Sequence, residues 1–298
     1  MAITNFPNGI ASYGGVITAG GSDGSGTTYF VDGNSGNDGN DGLSWETPMK
    51  TLAVAFAASH ADIARGADRW ARRNTIYIAG DSFEEDLVIL PQKTDVIGVG
   101  SYNGHPGANI LGNHAPVNAG FGCRFFNVNF EPVTVAAIMT LTAACWGTEF
   151  HNCSFKANGT LIAATAIDAT ACQWLKIIGC DFIGAYTGDV IDIGAGNVDG
   201  MVIKDNVIIG GANDGIVETG TAVIVGTRRG LIMNNVIQVA ARTIVTNSTS
   251  VFNVVRNTLI SANNTGSTAF VIDLTFASEN YLTGGNDAAE MIPKAADA

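Results

Sequence analysis

The amino-acid sequence predicts an all-β protein built as a parallel β-helix, a solenoid in which successive coils stack on one another. A first motif, a small polar residue two positions before an apolar one, recurs at intervals of 22–29 residues. A second motif recurs every 24–28 residues in the same part of the chain. Glycine supplies 37 of 298 residues and only 14% are charged, which favours short buried strands joined by tight turns. A doubled repeat of this length without helices is typical of a β-solenoid.

The first motif becomes a column of small polar residues when the coils are stacked. Neighbouring strands lie about 4.8 Å apart, so each member lies above the previous one. Asparagines in such a column can hydrogen-bond to those above and below, and cysteines can replace them as small buried residues. The members are Cys153, Cys180, Asn206, Asn235 and Asn257.

The second motif supplies an inward and an outward column, because side chains alternate along a strand. The members expected to face the core are Ile167, Ile191, Val217, Val245 and Ile272. The residues expected to face outward are Asp168, Asp192, Glu218, Thr246 and Asp273. Dividing residues 74–283 by about 26 residues per coil predicts roughly eight coils.

The chain ahead of the repeats predicts an arm and a cap. Residues 1–28 carry one charged side chain and have no local core, so they are expected to order against a partner. Residues 29–73 hold a short strand, a loop rich in Asp, Asn and Gly, and an amphipathic helix. The helix is expected over residues 48–73, with Thr47 as its N-cap and Pro48 as its first residue.

Three stretches, YFVDGNSGNDGNDGLSWETPMKTLAVAFAA, NTIYIAGDSFEEDLVI and TDVIGVGS, resemble the opening of the pectate-lyase-like, right-handed single-stranded β-helix superfamily. There a Gly/Asn/Asp loop, a helix begun by proline and a strand of the type TIYIAxGxFxE precede the coils. The resemblance covers residues 29 to about 283, and it implies that the β-helix over 74–283 is right-handed. The segment 284–298 is expected to end the stacking as a polar tail or cap.

The loop DGNSGNDGND offers oxygen atoms of the kind that calcium prefers. Its candidate metal ligands are Asp32, Asn34, Asp38 and Asp41. No glutamate closes the loop at the EF-hand position and no helix precedes it, so we favour the alternative of a turn network that locks the loop. No cofactor is expected.

A catalytic site on this fold would need clustered carboxylates on an outer sheet face. The candidates are Asp168, Asp192 and Glu218, because adjacent coils would bring their carboxyl groups about 5 Å apart. Such pairs serve glycoside hydrolysis, and a lyase would add calcium and a basic side chain. The Asn-Thr-Asp, Asp-Asp, Gly-His-Gly and Arg-x-Lys signatures of polygalacturonase-type enzymes are absent from the sequence. The sequence therefore favours a solvated acidic face over catalysis.

The five cysteines contain no CxxC pair, which favours buried, reduced thiols over a zinc site or a disulfide framework. His151 lies two residues from Cys153 and could serve as its base, but the column with Cys180 explains Cys153 as a core residue. Trp146 and Trp174 are expected to stack on each other, with a sugar platform as the alternative.

The charge balance and the termini limit the partners. A net charge of −12 argues against binding to DNA or anionic lipid. No apolar run reaches the ~20 residues of a membrane helix. The N-terminus has neither a basic nor an apolar leader segment, so no secretory signal is expected.

The opening MAITNFPNGIASYGG also resembles the N-termini of tailed-phage structural proteins. The two resemblances imply a non-enzymatic virion protein, most simply a capsid decoration or surface protein assembled in the bacterial cytoplasm. Its expected partners are the major capsid protein or another virion protein, further copies in a homotrimer, and a surface glycan. The alternative is a tailspike- or fibre-like β-helix that binds or depolymerises polysaccharide as a lyase or glycoside hydrolase. The arm residues expected to make contact are Ile3, Phe6, Pro7, Ile10 and Tyr13.

Overall fold

Three parallel sheets wrap around one apolar core and form a β-solenoid, which confirms the predicted all-β, parallel β-helix. The structure is a computed structural model. It describes residues 10–12, 15–17, 26–65, 72–79, 82–102, 105–106, 108–117, 120–157, 162–169, 172–194, 199–218, 229–245, 251–261, 270–271 and 276–283. No helix in these ranges is long and apolar enough to cross a membrane.

The three sheets are named here in the order in which each coil visits them. Sheet I consists of Thr28–Val31, Asn74–Ala79, Thr94–Val99, Arg124–Phe126, Glu149–His151, Lys176–Ile178, Met201–Lys204, Arg229–Met233, Val251–Val255 and Phe276–Ser278. Sheet II consists of Ser82–Glu84, Ala108–Leu111, Val128–Glu131, Ser154–Ala157, Asp181–Gly184, Val207–Ile209, Val236–Val239, Thr258–Ser261 and Tyr281–Thr283. Sheet III consists of Met139–Thr140, Ile167–Asp168, Ile191–Ile193, Ile216–Glu218, Ile244–Val245 and Phe270–Val271. Antiparallel pairs join Ile10–Ser12 to Gly15–Ile17 and Ser101–Tyr102 to His105–Pro106.

A complete coil contributes one strand to each sheet, and the described residues contain 6 such coils. The first begins with Arg124–Phe126, and the last includes Phe270–Val271. The predicted number of about eight is too high for complete coils. The layer of Thr28–Val31 has a strand in sheet I only, and the two layers that follow it, like the last described layer, have strands in sheets I and II.

An asparagine ladder closes the turn between sheets I and II. The Nδ2 group of Asn206 donates to the carbonyl of Ile177 at 3.0 Å and to Oδ1 of Asn235 at 2.9 Å. Asn235 repeats the pattern with the carbonyl of Ile203 and with Oδ1 of Asn257. The ladder thus satisfies backbone groups that the tight turn would leave without partners inside the protein.

The ladder extends beyond the predicted column at one end and changes chemistry at the other. Asn257 donates to Oδ1 of Asn280 at 2.9 Å, so Asn280 is a further member. The N–H of Cys180 donates to Oδ1 of Asn206 at 2.8 Å. Cys153 and Cys180 then continue the column as buried side chains, as the sequence predicts.

At the turn between sheets I and II, the residue before each ladder position has a left-handed backbone conformation. Its φ stays between 50° and 65° in coil after coil. Asparagine and aspartate tolerate this region better than other L-residues. Arg256 and Glu279 lack that advantage, and their side chains pair at 3.0 Å on the surface. The members are Asn127, Asn152, Gly179, Asp205, Asn234, Arg256 and Glu279.

Stacked phenylalanines fill the middle of the core. The ring of Phe155 lies between those of Phe130 and Phe182, with both centroids 5.0 Å away. Phe125 stacks on Phe150 at 5.4 Å, and the two rows meet edge to face. All five rings are fully buried. The first three complete coils therefore place aromatic rings above one another, and Ile208 takes the equivalent position in the fourth.

The predicted cap helix is present but shorter than expected. It spans Leu52–Arg65 and packs on the first two strands of sheet I, with Phe56 buried against the core. The predicted start is wrong, because the Thr47 hydroxyl donates to Asp41 in the preceding loop, and the Thr51 hydroxyl accepts the N–H of Val54 at 3.4 Å as the cap. The predicted helical residues 66–71 lie outside the described part of the chain.

Two carboxylates, both distant in sequence, satisfy the free N–H groups around the start of this helix. Asp38 accepts from the N–H groups of residues 50 and 51 at 3.0 and 2.9 Å. Glu85 accepts from those of residues 52 and 53, both at 2.9 Å. Carboxylates at this end also interact favourably with the helix dipole. Asp38 thereby ties the loop to the helix, and Glu85 ties the helix to the layer of Asn74–Ala79 and Ser82–Glu84.

A buried histidine makes stability depend on pH. His114 is fully buried, accepts the N–H of Leu87 at Nδ1 and lies edge-on to Phe130. Burial lowers its pKa from 6.5 to about 4, partly offset by Asp86. The unfolded chain therefore takes up a proton below pH 6.5 that the folded chain refuses until about pH 4.

We expect the free energy of unfolding to fall by about 3 kcal/mol through His114 as the pH is lowered across that interval. Urea unfolding at pH 7.5 and 4.5, for the wild type and His114→Gln, measures this contribution. The pH-dependent loss should shrink by most of that amount in the variant. An equal loss in both proteins would contradict the assignment.

Candidate functional site

Two of the three candidate catalytic carboxylates are neighbours, and the third is not. Asp168 and Asp192 lie opposite each other on adjacent strands of sheet III. Glu218 pairs instead with Ile193, and Asp192 pairs with Val217. Glu218 is also only 3% exposed, so it is not part of an outward acidic face. The predicted column of three carboxylates is therefore wrong at its third member.

The error is a shift of one residue in register. Ile216 and Val217 are both apolar, so alternation alone does not say which one faces the core. Ile216 pairs with Ile191 and Ile244, so the inward column contains Ile216 and Ile244 in place of Val217 and Val245. The remaining predicted members, Thr246, Ile272 and Asp273, lie outside the described residues.

The Asp/Asn loop uses its carboxylates for turns. Asp32 accepts the N–H groups of Asn34 and Ser35 at 2.9 and 3.1 Å and also the Ser35 hydroxyl. Asp41 accepts an N–H and a hydroxyl of the same loop at 3.1 and 2.8 Å, and Asp38 caps the helix. Within the described residues no three His, Cys, Asp or Glu side chains form a group that could hold a metal ion. The carboxylates of Asp32 and Asp41 thus belong to the turn network, and that of Asp38 joins the loop to the start of the helix.

Hydrogen bonding also lowers the pKa of two of these carboxyl groups. The Ser35 hydroxyl has the largest effect on the pKa of Asp32, and the N–H of Leu43 has the largest effect on the pKa of Asp41. Both groups are therefore ionised at neutral pH, as the turns require.

The cysteine side chains belong to the core. Cys153 and Cys180 each donate from Sγ to carbonyl oxygens of sheet I, at 3.4–3.5 Å. His151 bonds through Nε2 to Glu149, at 2.8 Å, and is not paired with Cys153. Burial raises the pKa values of Cys123, Cys172 and Cys180. These thiols lack the electropositive, exposed surroundings of a nucleophile.

All five cysteines are free and buried, so we expect five reactive thiols in denaturant and almost none in the native protein. Burial blocks access of the reagent to all five thiols in the folded protein. Titration with Ellman's reagent, with and without guanidinium, checks this. Fewer than four thiols in denaturant would show that a disulfide forms.

The outer face of sheet I carries a row of alternating charges. Arg124 is bonded to Asp95 at 2.6–2.7 Å, and Lys176 to Glu149 at 2.8 Å. Burial raises the pKa of Glu149, but hydrogen bonds from His151 and Lys176 outweigh it and lower that pKa to about 2. The row therefore pairs its charges internally, and each exposed pair contributes about 0.2–1 kcal/mol.

One ionic cluster was not found by sequence reasoning. Asp214 is buried and bonded to the Arg242 guanidinium through Nε at 3.0 and 3.1 Å, while Asp189 accepts the N–H of Asp214. Burial raises the pKa of Asp189. The sequence signal for this cluster is the spacing: Asp214 follows Asp189 by 25 residues and precedes Arg242 by 28. Such spacings place the three residues in successive coils.

The corner between sheets III and I carries exposed aromatic rings. Trp146 and Trp174 are 46% and 50% exposed. Trp146 stacks on Phe121 with centroids 5.1 Å apart, and Trp174 covers Gly200, where a Cβ would lie 2.4 Å from the indole. The expected Trp–Trp stack is therefore replaced by two separate packing partners. The two indoles line an open cleft of about 240 Å³.

The outer face of sheet II changes character along the solenoid. Its early coils present polar or charged residues such as Asn129, Glu131 and Asp181. Its later coils present two columns without a charge among the described residues. This surface, called the uncharged face below, consists of Ile183, Val207, Ile209, Val236, Gln238, Thr258, Ile260 and Tyr281.

Of the expected contact residues in the arm, Ile10 lies in a described strand. That strand, Ile10–Ser12, pairs with Gly15–Ile17 in an antiparallel hairpin. The other expected contacts, Ile3, Phe6, Pro7 and Tyr13, lie outside the described residues, as does the tail 284–298.

No protein-family model, curated protein or solved structure matches the chain. The resemblances noted in the sequence therefore gain no support from relatives. What the chain itself establishes is its architecture, a parallel β-solenoid capped by one helix in its described part.

Proposed function

We propose that the chain is a non-enzymatic structural protein on the surface of a bacteriophage virion, a capsid decoration or surface protein held by its N-terminal arm. The hairpin at the start of the chain carries this proposal. Its strands, Ile10–Ser12 and Gly15–Ile17, pair with each other and with none of the solenoid sheets in the described chain. An isolated two-stranded hairpin is marginally stable in water. A partner surface would supply the missing stability.

The hairpin sequence favours an apolar partner surface. Ile10 lies opposite Ile17, and Ala11 lies opposite Val16. Four apolar residues in so short a hairpin favour burial over exposure to water. The major capsid protein, or another virion protein, is the partner that we propose.

The uncharged face supports a second contact, with further copies of the same chain. Copies with a net charge of −12 repel each other over most of their surface, so an uncharged face is where they can approach. Its side chains follow the strand spacing of about 4.8 Å, which another copy of the solenoid matches. We therefore propose side-by-side association of copies through this face, and the resemblance to phage β-helix proteins implies a homotrimer.

Deletion of residues 2–20 tests the anchoring role. The shortened protein should keep the circular dichroism and unfolding midpoint of the full chain, because the three sheets do not include the hairpin. It should no longer co-sediment with particles that retain the full-length protein. Normal attachment of the shortened, folded protein would refute the role of the arm.

The double variant Ile209→Glu with Ile260→Glu tests the self-association surface. It places two negative charges in one column of the uncharged face, on either side of Gln238, and sedimentation should show monomers in place of the trimers expected of the wild type. Ser82→Glu places the same charge on an exposed polar position of the same sheet and should leave the trimer intact. A trimer unaffected by the double variant would contradict this surface.

The alternative function is that of a polysaccharide lyase or glycoside hydrolase. The observation that favours it is that Asp168 and Asp192 lie opposite each other on adjacent strands. Both residues make interactions within the protein. Depolymerisation of a glycan by the full-length protein, abolished by Asp168→Asn with Asp192→Asn, would replace the structural proposal with this one.

A further inference from the structure

A line of stacked side chains runs along the corner between sheets III and I. The Lys93 ammonium lies 5.6 Å from the centroid of the Phe121 ring. Phe121 stacks on Trp146 at 5.1 Å with only 14° between the ring planes. The next coil contributes Gln173 and Trp174, which line the cleft together with Trp146 and Ala143.

One side of each indole packs against the protein, and both indoles line the cleft. Phe121 covers one side of Trp146. Gly200 lies under Trp174, and three indole atoms lie within 2.4–2.8 Å of the position that a Cβ there would take. Glycine is therefore required beneath Trp174 for the ring to lie this close to the backbone. Exposed rings held in this way mark a surface built for contact.

We propose that the cleft between Trp146 and Trp174 binds a neutral saccharide. Its described lining is uncharged and combines two indoles with the carboxamide of Gln173 and the small side chain of Ala143. A pyranose ring presents an apolar C–H face to an aromatic ring and hydroxyl groups to an amide. The volume of about 240 Å³ lies below the ~300 Å³ of drug-sized sites, as expected for one or two sugar rings.

The backbone holds the cleft in one geometry before any ligand arrives. The N–H of Gly147 donates to the carbonyl of Gln173 at 2.7 Å, and the N–H of Trp174 donates to the carbonyl of Asp199 at 2.8 Å. The N–H of Gly122 donates to the carbonyl of Trp146 at 3.1 Å. These three hydrogen bonds tie four successive layers of the solenoid together at this corner. A rigid site avoids much of the ordering cost of binding.

The absence of cationic side chains from the described lining argues against nucleic acids and acidic polysaccharides as ligands. Nucleic acid would also stack on indoles, but it needs cations along its backbone, and the described lining has none. Acidic polysaccharides face the same lack of cations on a protein of charge −12. The Lys93 ammonium is positioned over Phe121 on the far side of Trp146. A neutral glycan is the ligand that meets no electrostatic penalty.

The test is binding of the full-length protein to cellotetraose, maltotetraose, laminaritetraose and chitotetraose, followed by tryptophan fluorescence and calorimetry. At least one should bind saturably. Trp146→Ala and Trp174→Ala should each weaken that binding about ten-fold through loss of ring contact. Trp45→Ala removes an equally exposed tryptophan, in the N-terminal loop, and should leave the affinity unchanged.

Ala143→Gln supplies a variant that keeps both indoles and fills the cleft. It should also weaken binding about ten-fold, with unchanged circular dichroism. Failure of all four neutral tetrasaccharides to bind would overturn the proposal. So would saturable binding only of tetragalacturonate or of an oligothymidine, or saccharide binding that the Trp146, Trp174 and Ala143 variants retain. This inference does not depend on the virion proposal, since particle attachment plays no part in the measurement.

Discussion

Replacing Asn235 with alanine is expected to lower the free energy of unfolding by about 4 kcal/mol. Its Oδ1 accepts both the N–H and the Nδ2 group of Asn206, and its Nδ2 donates to the carbonyl of Ile203. Alanine would leave these three buried groups each short of a hydrogen bond, at about 1–3 kcal/mol apiece. Urea unfolding followed by circular dichroism measures the change.

Asn253 offers the matched control for this substitution. It is an exposed asparagine on sheet I, outside the ladder, so Asn253→Ala should change stability by less than about 0.5 kcal/mol. Similar effects at the two positions would mean that the ladder contributes no more than an ordinary surface asparagine.

Phe155→Ala is expected to cost about 4 kcal/mol, from lost burial and from the cavity left between neighbouring coils. The ring is fully buried and loses stacking on both Phe130 and Phe182. Aromatic contacts of this kind add about 0.5–1.5 kcal/mol each beyond the buried area. The loss should appear in the unfolding midpoint.

Phe126 provides the comparison for Phe155. It lies on the outer face of sheet I, half-buried, and stacks on His151 at 4.8 Å. Phe126→Ala should cost about 1 kcal/mol, because the site opens to water and no cavity forms. An equal loss in the two variants would contradict the view that the internal ring stack determines stability.

The solenoid could be predicted because a small residue, asparagine or cysteine, recurs once per coil from Cys153 to Asn257. The spacing of Cys153, Cys180 and Asn206 follows directly from one ladder position per coil. Asn280 belongs to the same ladder but was missed, although it lies 23 residues after Asn257 and is followed two positions later by an apolar residue, as the motif requires. The left-handed turn residues carried a further signal, since Asn and Asp precede several ladder positions.

The rest depended on contacts that local sequence does not encode. The predicted register of strand Ile216–Glu218 in sheet III was wrong because Ile216 and Val217 are both apolar, so either could face the core. The start of the helix was wrong because its free N–H groups are satisfied by Asp38 and by Glu85. The carboxylate of Glu85, 33 residues away, has no local signature, whereas Thr51 directly before the helix is a local cap.

The aromatic corner shows the same limit for the candidate site. A separation of 28 residues suggested that Trp146 and Trp174 occupy one column. In the folded chain Trp146 faces Phe121, and Trp174 lies on Gly200. Gln173, not Trp174, occupies the position equivalent to Trp146 in the next coil. Because of this offset of one residue, the two indoles do not stack on each other and instead line an open cleft.

Cryo-electron microscopy of purified virions tests the central claim most directly. The account predicts density for the solenoid on the particle surface in groups of three, with the N-terminal hairpin against a capsid or other virion protein. Purified virions that lack the chain, together with recovery of the chain from the lysate as a free monomer that degrades polysaccharide, would contradict it.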